Sequence, residues 1–347
     1  MNLKTLKQHA LRPDRLAAAA TPVVLLTMLI SGLLAFGPRF VGENNLLNMV
    51  QGPNAALGIM AIGMTLVILT GGIDLSVGAV LALVAVSVAT LMDTDGLGWS
   101  FPAAAVFGLL IGAVFGTAQG LVVSRLRVPA FLVTLAGMFI ARGAAFAINI
   151  EGIALSGHPQ LTAISGWATE HIAKPLGSIP GLGWIIPRRM PMETLVLLVV
   201  IVLGWAILRW TRMGRTCYAI GGSPDSAKLM GLPVRLTEVG VYTLSGLCAA
   251  IAGLAHVVYT KSGRPGAGEL VELDAIAVVV IGGTLLTGGR GSAIGTLVGL
   301  LTYATIRSII QFGNFNDAVF PLVIGGLLLA FLVFQRVLQN RDPRNAH

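Results

Sequence analysis

The sequence predicts an all-α integral membrane protein, a polytopic helical bundle of about ten transmembrane segments that include short broken helices. Of its residues 55% are hydrophobic and 11% are charged, and the mean hydropathy is +0.84. A soluble chain would carry about a quarter charged residues. Lipid admits only helices and closed barrels, and the low aromatic content of 6% argues against a barrel. We therefore expect one membrane-spanning domain over 1–347.

The apolar runs between turn signals define the expected spans, since a helix needs roughly 20 apolar residues to cross a bilayer. The third and eighth are short and rich in helix-breaking residues, which is typical of half-helices or re-entrant segments. No cleavage site follows the first run, so we interpret 1–16 as a retained cytoplasmic lead. The expected spans are 17–36, 46–70, 75–91, 101–123, 129–150, 193–210, 237–258, 271–287, 291–311 and 318–335.

The placement of Lys and Arg predicts that both termini are cytoplasmic, because cationic loops stay on that side. The region 211–236 then also lies inside, and the long loop 151–192 lies in the periplasm. Lys261 and Arg264 fall outside, which counts against this topology. The net charge of +8 reflects topology, so we expect no nucleic-acid partner. The cations predicted inside are Lys4, Lys7, Arg12, Arg15, Arg125, Arg127, Arg209, Arg212, Arg215, Lys228, Arg235, Arg336, Arg341 and Arg344.

A hydrophilic island, 211–238, separates two long apolar stretches and reads TRMGRTCYAIGGSPDSAKLMGLPVRLTE. Ser223 can cap a helix, Pro224 suits its first turn, Asp225 favours its positive end and Gly231 can close it. A helix of about two turns is too short to be stable alone, so we expect it to dock on something. We expect Ala227, Leu229 and Met230 to form the docking face, and a solvated loop is the alternative.

The chain also contains an internal echo, that is, a short sequence pattern that occurs twice. Thr70-Gly71-Gly72 is followed, after five residues, by Gly78. Thr287-Gly288-Gly289 is followed, after five residues, by Gly295. Apolar helices are expected on both sides of each copy, with the glycines as hinges or turns. Broken helices at matching places in two halves indicate a transport pathway, although coincidence is possible in a chain with 44 glycines.

Enzymatic chemistry is not expected. The chain has no Gly-Lys dipeptide, so the TGG copies are not phosphate-binding loops and any ATP hydrolysis would belong to another chain. No catalytic elbow or His-x-x-x-His pair is present, so we expect no metal and no cofactor.

Polar residues at membrane depth are the remaining chemical signal, because each is costly unless it faces a cavity or a partner. Their amide and hydroxyl groups suit a hydroxyl-rich solute. Asp74 fits the role of a helix cap equally well. The residues expected along a translocation path are Asn54, Asp74, Ser76, Gln119 and Asn149.

Four separated blocks resemble, in the same order, the permease subunits of ribose-type sugar ABC importers. They are GMTLVILTGGIDLSVGAVLAL, RVPAFLVTLAGMFIARG, GRTCYAIGGSPDSAKLMGL and ELDAIAVVVIGGTLLTGGRGSAIGTLVGLL. Within this family, the stretch Ser156-Gly157-His158-Pro159, together with YAIGG and VELDAIAVVVIGGTLLTGG, looks closest to the second permease of galactofuranose importers.

The resemblance implies a multi-pass protein of the bacterial inner membrane with a cytoplasmic ATPase, a periplasmic sugar-binding protein and a second permease chain as partners. That second chain would be a different permease if the galactofuranose match holds, and a copy of this one in a ribose- or xylose-type importer. A secondary sugar carrier, or a membrane scaffold or receptor component, remains an alternative. The residues that the resemblance assigns to the helix coupling the chain to the ATPase are Arg215, Ser223, Pro224, Asp225, Ala227, Met230 and Gly231.

Overall fold

The computed structural model describes residues 13–178 and 189–340, and helices dominate this part of the chain. The first half contains α1 (Pro13–Phe36), α2 (Glu43–Asn48), α3 (Pro53–Leu69), α4 (Val77–Met92), α5 (Phe101–Leu126), α6 (Ala130–Ile148), α7 (Pro159–Ala168) and α8 (Lys174–Gly177). The second half contains α9 (Met192–Trp210), α10 (Arg212–Gly222), α11 (Pro224–Leu229), α12 (Val234–Thr260), α13 (Val271–Ile281), α14 (Ala293–Phe312) and α15 (Val319–Asn340).

Some predicted features lie outside the described residues. They are most of the lead 1–16, part of the loop 151–192, and the cations Lys4, Lys7, Arg12, Arg341 and Arg344.

Six helices of the described part are long and apolar enough to cross a membrane, namely α5, α6, α9, α12, α14 and α15. The described parts of α1, α3 and α4 are shorter apolar helices. The prediction that the segments at 75–91 and 271–287 are short is confirmed, because α4 has 16 residues and α13 has 11. The polytopic helical architecture is thus observed, while the number of ten crossings stays a prediction.

The structure corrects two of the predicted segments. The span expected at 46–70 is divided, because Gly52 adopts a φ of 56° and Pro53 then begins α3. The loop expected at 151–192 contains α7, α8 and a short strand. That strand, β1 (Ile153–Ala154), pairs antiparallel with β2 (Ser262–Gly263) just after α12.

The centre of the bundle is formed by α3, α4 and α12. Every residue of α3 after Pro53 is buried, and α12 packs against α3, α4 and α5. A hydroxyl pair, Thr65 Oγ1 to Thr296 Oγ1 at 2.7 Å, joins α3 to α14 inside this core. By contrast, α5, α6, α9 and α15 each leave many large apolar side chains exposed. Helices exposed in this way are suited to face lipid.

A row of glycines lets α5 and α12 approach closely. Gly108, Gly112, Gly116 and Gly120 recur every four residues on α5, and a Cβ atom at any of the four would crowd a neighbouring helix. At Gly116 the Cβ would collide with the backbone carbonyl oxygen of Tyr242 on α12. Small residues at four-residue spacing are how membrane helices bring their backbones together. This seam fixes α12 in the middle of the bundle.

Candidate functional site

The helix predicted inside the hydrophilic island forms as α11. Ser223 is its N-cap, and the Ser223 hydroxyl accepts a hydrogen bond from the Ser226 backbone nitrogen at 3.2 Å. Pro224 and Asp225 occupy its first turn, and Gly231 follows it with a φ of 73°. A serine cap, an early proline and a closing glycine account for a helix of this length.

The exposed face of α11 differs in part from the predicted one. Leu229 is 89% exposed and Met230 is 67% exposed, so both could meet a partner. Ala227 is 0% exposed and packs with Ile220 and Val234, which corrects its expected place on the docking face. Ala227 instead holds α11 against the two neighbouring helices, because its small side chain fits between them. The structure thus divides α11 into an inner anchor and an outer apolar face.

Arg215, which was grouped with the coupling residues, lies on α10 and not on α11. Its side chain borders a cavity of about 400 Å³ together with Trp205 and Tyr218. The Tyr218 hydroxyl donates to the backbone oxygen of Gly291 at 2.9 Å. Burial raises the pKa of Tyr218, so the phenol stays protonated and able to donate. Through this bond α10 is fastened to the loop that follows the second TGG copy.

The two TGG copies, far apart in sequence, meet in space. The Gly289 backbone nitrogen donates to the Leu69 oxygen at 2.9 Å. This hydrogen bond directly joins the two breaks, by which we mean the non-helical segments at the two TGG copies. Gly71 and Gly288 both have a positive φ, of 81° and 86°, in equivalent positions of the echo. A Cβ atom at Gly288 would lie 2.9 Å from the Gly71 nitrogen, so the contact requires glycine. Of the four predicted hinge glycines, Gly71, Gly288 and Gly289 therefore form one junction, while Gly72 packs against Tyr242.

The second copy departs from the predicted pattern. The first break follows α3 directly, whereas α13 ends at Ile281, well before Thr287. Gly282 caps α13 and Gly283 has a φ of 88°, so these two glycines end the helix before the TGG copy is reached. An apolar helix therefore does not run into the second set of glycines, as the echo suggested.

Gly221, the second-last residue of α10, packs against both breaks. A Cβ atom at Gly221 would collide with the Gly289 nitrogen and the Leu69 oxygen, which are the two atoms that join the breaks. Its neighbour Gly222 has no atom within 4 Å of the equivalent point. The end of α10 is thus wedged into the junction of the two broken helices, and α11 follows at once. α11 is therefore connected to this junction through the last two residues of α10.

Three of the five predicted path residues come together in a buried cluster. Asp74 is 1% exposed, and its Oδ1 atom accepts from the Ser76 backbone nitrogen at 3.0 Å and from the Ser76 hydroxyl at 2.6 Å. Its Oδ2 atom accepts from the Ser245 hydroxyl at 2.7 Å. Gln119 Oε1 lies 3.2 Å from Ser76 Oγ. Asp74 therefore holds the turn before α4 and ties it to α12. It is not the cap of that helix, because the N-cap of α4 is Ser76.

Asn54 and Asn149 lie apart from this cluster. Asn54 is in the first turn of α3, at the opposite end from Asp74, and donates to the Asn48 oxygen at 2.9 Å. Asn149 follows α6 and accepts from the Gly152 nitrogen at 2.7 Å. Each amide stabilises a local turn, because its partner is a nearby backbone group. The five residues expected to share one path do not line a common site.

Sequence reasoning missed Ser245 and Tyr242, which complete the buried cluster from α12. The Tyr242 hydroxyl and Gln119 Nε2 are buried without a hydrogen-bond partner among the described residues. Two polar side chains three residues apart in an apolar helix share one face, and this spacing was the available signal. No sequence pattern marked Gly221 as part of the junction, because glycines are common in segments that resemble loops.

Charged residues also meet around a cavity of about 650 Å³ between α13, α14 and α15. Asp274 bonds to Tyr303, and the Arg307 guanidinium lies 5.0 Å from the centre of the Phe320 ring. Sequence reasoning did not select these residues as a site. Within the described residues no cluster of three or more His, Cys, Asp or Glu could hold a metal ion.

The comparisons with known proteins agree on one class. The family described as branched-chain amino acid transport system / permease component matches residues 52–332. The inner membrane ABC transporter permease protein YjfF of Escherichia coli K12 is 41% identical over 304 residues, 87% of this chain and 86% of the relative. The ribose import permease protein RbsC of the same organism is 36% identical over 314 residues, which are 90% of this chain and 92% of the relative.

A third relative, the xylose transport system permease protein XylH of Escherichia coli K12, is 33% identical over 87% of each chain. No solved structure gives a significant match.

Proposed function

The chain belongs to the family of branched-chain amino acid transport system / permease components, and from this premise we propose that it is the permease subunit of a sugar-importing ABC transporter. It is a multi-pass membrane protein. Its relatives are transport permeases, among them import permeases for ribose and fructose. The observation that supports the proposal most is α11, a short capped helix that exposes Leu229 and Met230.

We propose that α11 docks in a cleft of a cytoplasmic ATPase, which supplies the energy that this chain does not itself release. Closure of the ATPase would push α11, and α10 would carry the displacement because the two helices share Ser223 as cap. Gly221 would then move the junction of the two TGG breaks, and α3, α4 and α14 would shift with it. Conformational change by movement of packed elements about hinge residues is a common mechanism in transport.

The buried cluster of Asp74, Ser76 and Gln119 is proposed to belong to the translocation path. Hydroxyl, amide and carboxylate oxygens can replace the hydrogen bonds that sugar hydroxyls make with water. Among the described residues the Tyr242 hydroxyl and Gln119 Nε2 still have unused bonding capacity. A conformational change that opens this cluster would expose groups suited to a hydroxylated solute. Asn54 and Asn149 are left out of the proposed path because both hold local turns.

The proposed assembly contains this chain, an ATPase, a periplasmic sugar-binding protein and a second permease chain in the bacterial inner membrane. Both termini and α11 are placed in the cytoplasm by the positive-inside rule. A related but different permease is the favoured second chain, and a copy of this chain is the alternative. The binding protein would supply most of the sugar selectivity.

Reversing the polarity of the exposed face of α11 tests the coupling role. We expect Leu229→Glu with Met230→Glu to lower sugar uptake at least about 30-fold, because the loss of two interface anchors costs roughly 2 kcal/mol or more. ATP hydrolysis by the assembled complex should lose its stimulation by the sugar-loaded binding protein. Uptake and hydrolysis are measured in the same proteoliposomes, after the amount of inserted permease has been equalised.

The matched control for this experiment is Leu229→Met with Met230→Leu, which keeps both positions apolar. It should transport like the unmodified chain. Gly231 is left unchanged, because its positive φ makes any substitution there a test of folding. Normal uptake and normal stimulation in the glutamate variant would contradict the coupling assignment.

For the substrate we propose galactofuranose, because the stretch Ser156-Gly157-His158-Pro159 and the segments YAIGG and VELDAIAVVVIGGTLLTGG resemble the second permease of galactofuranose importers. With the cognate binding protein present, uptake of labelled galactofuranose should exceed that of ribose, xylose and fructose by at least about tenfold, a difference of about 1.4 kcal/mol. Preferred uptake of ribose or xylose would instead support the alternative, a permease that acts with a copy of itself. Equal uptake without ATP would indicate a secondary carrier.

A further inference from the structure

A small cavity of about 240 Å³ lies where α5 ends and α12 begins, beside α11. The side chains of Ser124, Arg127, Lys228, Arg235 and Glu238 line it, together with three valines. Because α5 and α12 are both long enough to cross a membrane, their adjoining ends lie near the level of the lipid headgroups. The cavity is therefore placed where protein, lipid headgroups and water meet.

The lining of the cavity is electrostatically unbalanced. Arg127, Lys228 and Arg235 bring three positive charges from three different segments, and all three interact with the single carboxylate of Glu238. Lys228 is also 3.6 Å from Asp225, whose side chain is 93% exposed. The three cations are exposed too, so water screens all of these charges in part. Arg127 adopts a left-handed backbone with a φ of 55°, which is unfavourable for a non-glycine residue. Surplus positive charge around a cavity favours an anionic ligand.

Ser124 provides an independent indication of a ligand. Ser124 lines the cavity, it is only 4% exposed, and its hydroxyl has no hydrogen-bond partner among the described residues. Leaving a buried hydroxyl unpaired is unfavourable. An oxygen-rich anion in the cavity would accept this hydrogen bond as well as those of the two arginines. A phosphate group combines the required charge with enough oxygen atoms for all three donors.

We propose that this cavity binds the phosphate headgroup of an anionic phospholipid. Leu126 and Leu236, which flank the cavity on α5 and α12, are 70% and 76% exposed and offer an apolar surface for the acyl chains. Basic pockets between membrane helices are known to hold such headgroups. Since Lys228 belongs to α11, the bound lipid would also fix the position of that helix. The binding itself does not depend on which solute the chain transports.

The test uses the full-length chain in neutral detergent after removal of lipid. Phosphatidylglycerol is titrated, with phosphatidylcholine and inorganic phosphate as separate arms, and bound lipid is measured by native mass spectrometry. We expect Arg127→Gln with Arg235→Gln to weaken phosphatidylglycerol binding about 30-fold, since each cation near a lipid surface contributes about 1 kcal/mol. Ser124→Ala should weaken it about fivefold and leaves the packing almost unchanged, so it serves if the double variant does not fold.

The matched control is Arg212→Gln with Arg336→Gln, which removes two exposed cations that do not line the cavity. It should bind phosphatidylglycerol within twofold of the unmodified chain. Equal binding of phosphatidylcholine, or equal losses in the control and in the cavity variants, would overturn the proposal. Inorganic phosphate that competes fully at millimolar concentration would make free phosphate the ligand. Displacement of the lipid by the assembled ATPase would assign the cavity to an acidic side chain of that partner.

Discussion

Substituting alanine for Gly221 is expected to reduce sugar uptake more than tenfold and to destabilise the folded chain by about 3 kcal/mol. The added methyl group would collide with the Gly289 nitrogen and the Leu69 oxygen, which form the hydrogen bond between the two breaks. Both atoms belong to the backbone, so no side chain can rotate away to make room. The breaks must therefore separate or α10 must withdraw, and α11 loses its connection to the bundle in either case.

The control for this prediction is the adjacent residue. Gly222→Ala places the same methyl group where no atom lies within 4 Å, and the helical backbone there accepts alanine. Thermal unfolding in detergent and uptake in proteoliposomes should therefore be unchanged or slightly improved for Gly222→Ala. If the two alanine variants behave alike, the junction does not transmit motion in the way proposed.

Gly116→Val is expected to have a comparable effect on folding, because it forces α5 and α12 apart. The side chain would collide with the Tyr242 carbonyl oxygen and approach the Thr243 backbone, in the tightest part of the glycine seam. Overpacking of this kind typically costs 1–3 kcal/mol, and the separation would also move Gln119 away from Ser76. We expect a clear fall in the yield of monodisperse protein and a lower unfolding temperature.

Gly143→Val is the matched control for the seam. Gly143 lies within α6, another helix long and apolar enough to cross a membrane, and a Cβ atom there would meet nothing within 4 Å. The change in helix propensity is the same at both positions, so the difference between the variants isolates the contact with α12. A yield and unfolding temperature of Gly116→Val equal to those of Gly143→Val would show that the close approach is not required.

Several local features could be predicted from the sequence because short-range chemistry decides them. Ser223, Pro224 and Gly231 specify where α11 begins and ends, and their effects act within one or two turns. The short lengths of α4 and α13 follow from the glycines around them. The helices inside the loop 151–192 were not predicted, because its moderate polarity resembles that of an irregular loop while α7 is held by contacts with α9 and α12. Such contacts are not visible along the chain.

The membrane character, the helical class, the capped helix α11 and the family resemblance were determined by the sequence itself. They depend on composition and on neighbours within a few residues, and a bilayer imposes strong rules on both. Only the tertiary structure decided that the two TGG copies touch, that Gly221 packs against their junction, that Ala227 faces inward and that Asn54 and Asn149 stand apart from Asp74. These outcomes depend on how distant helices pack, and packing is fixed by the shape of the whole bundle.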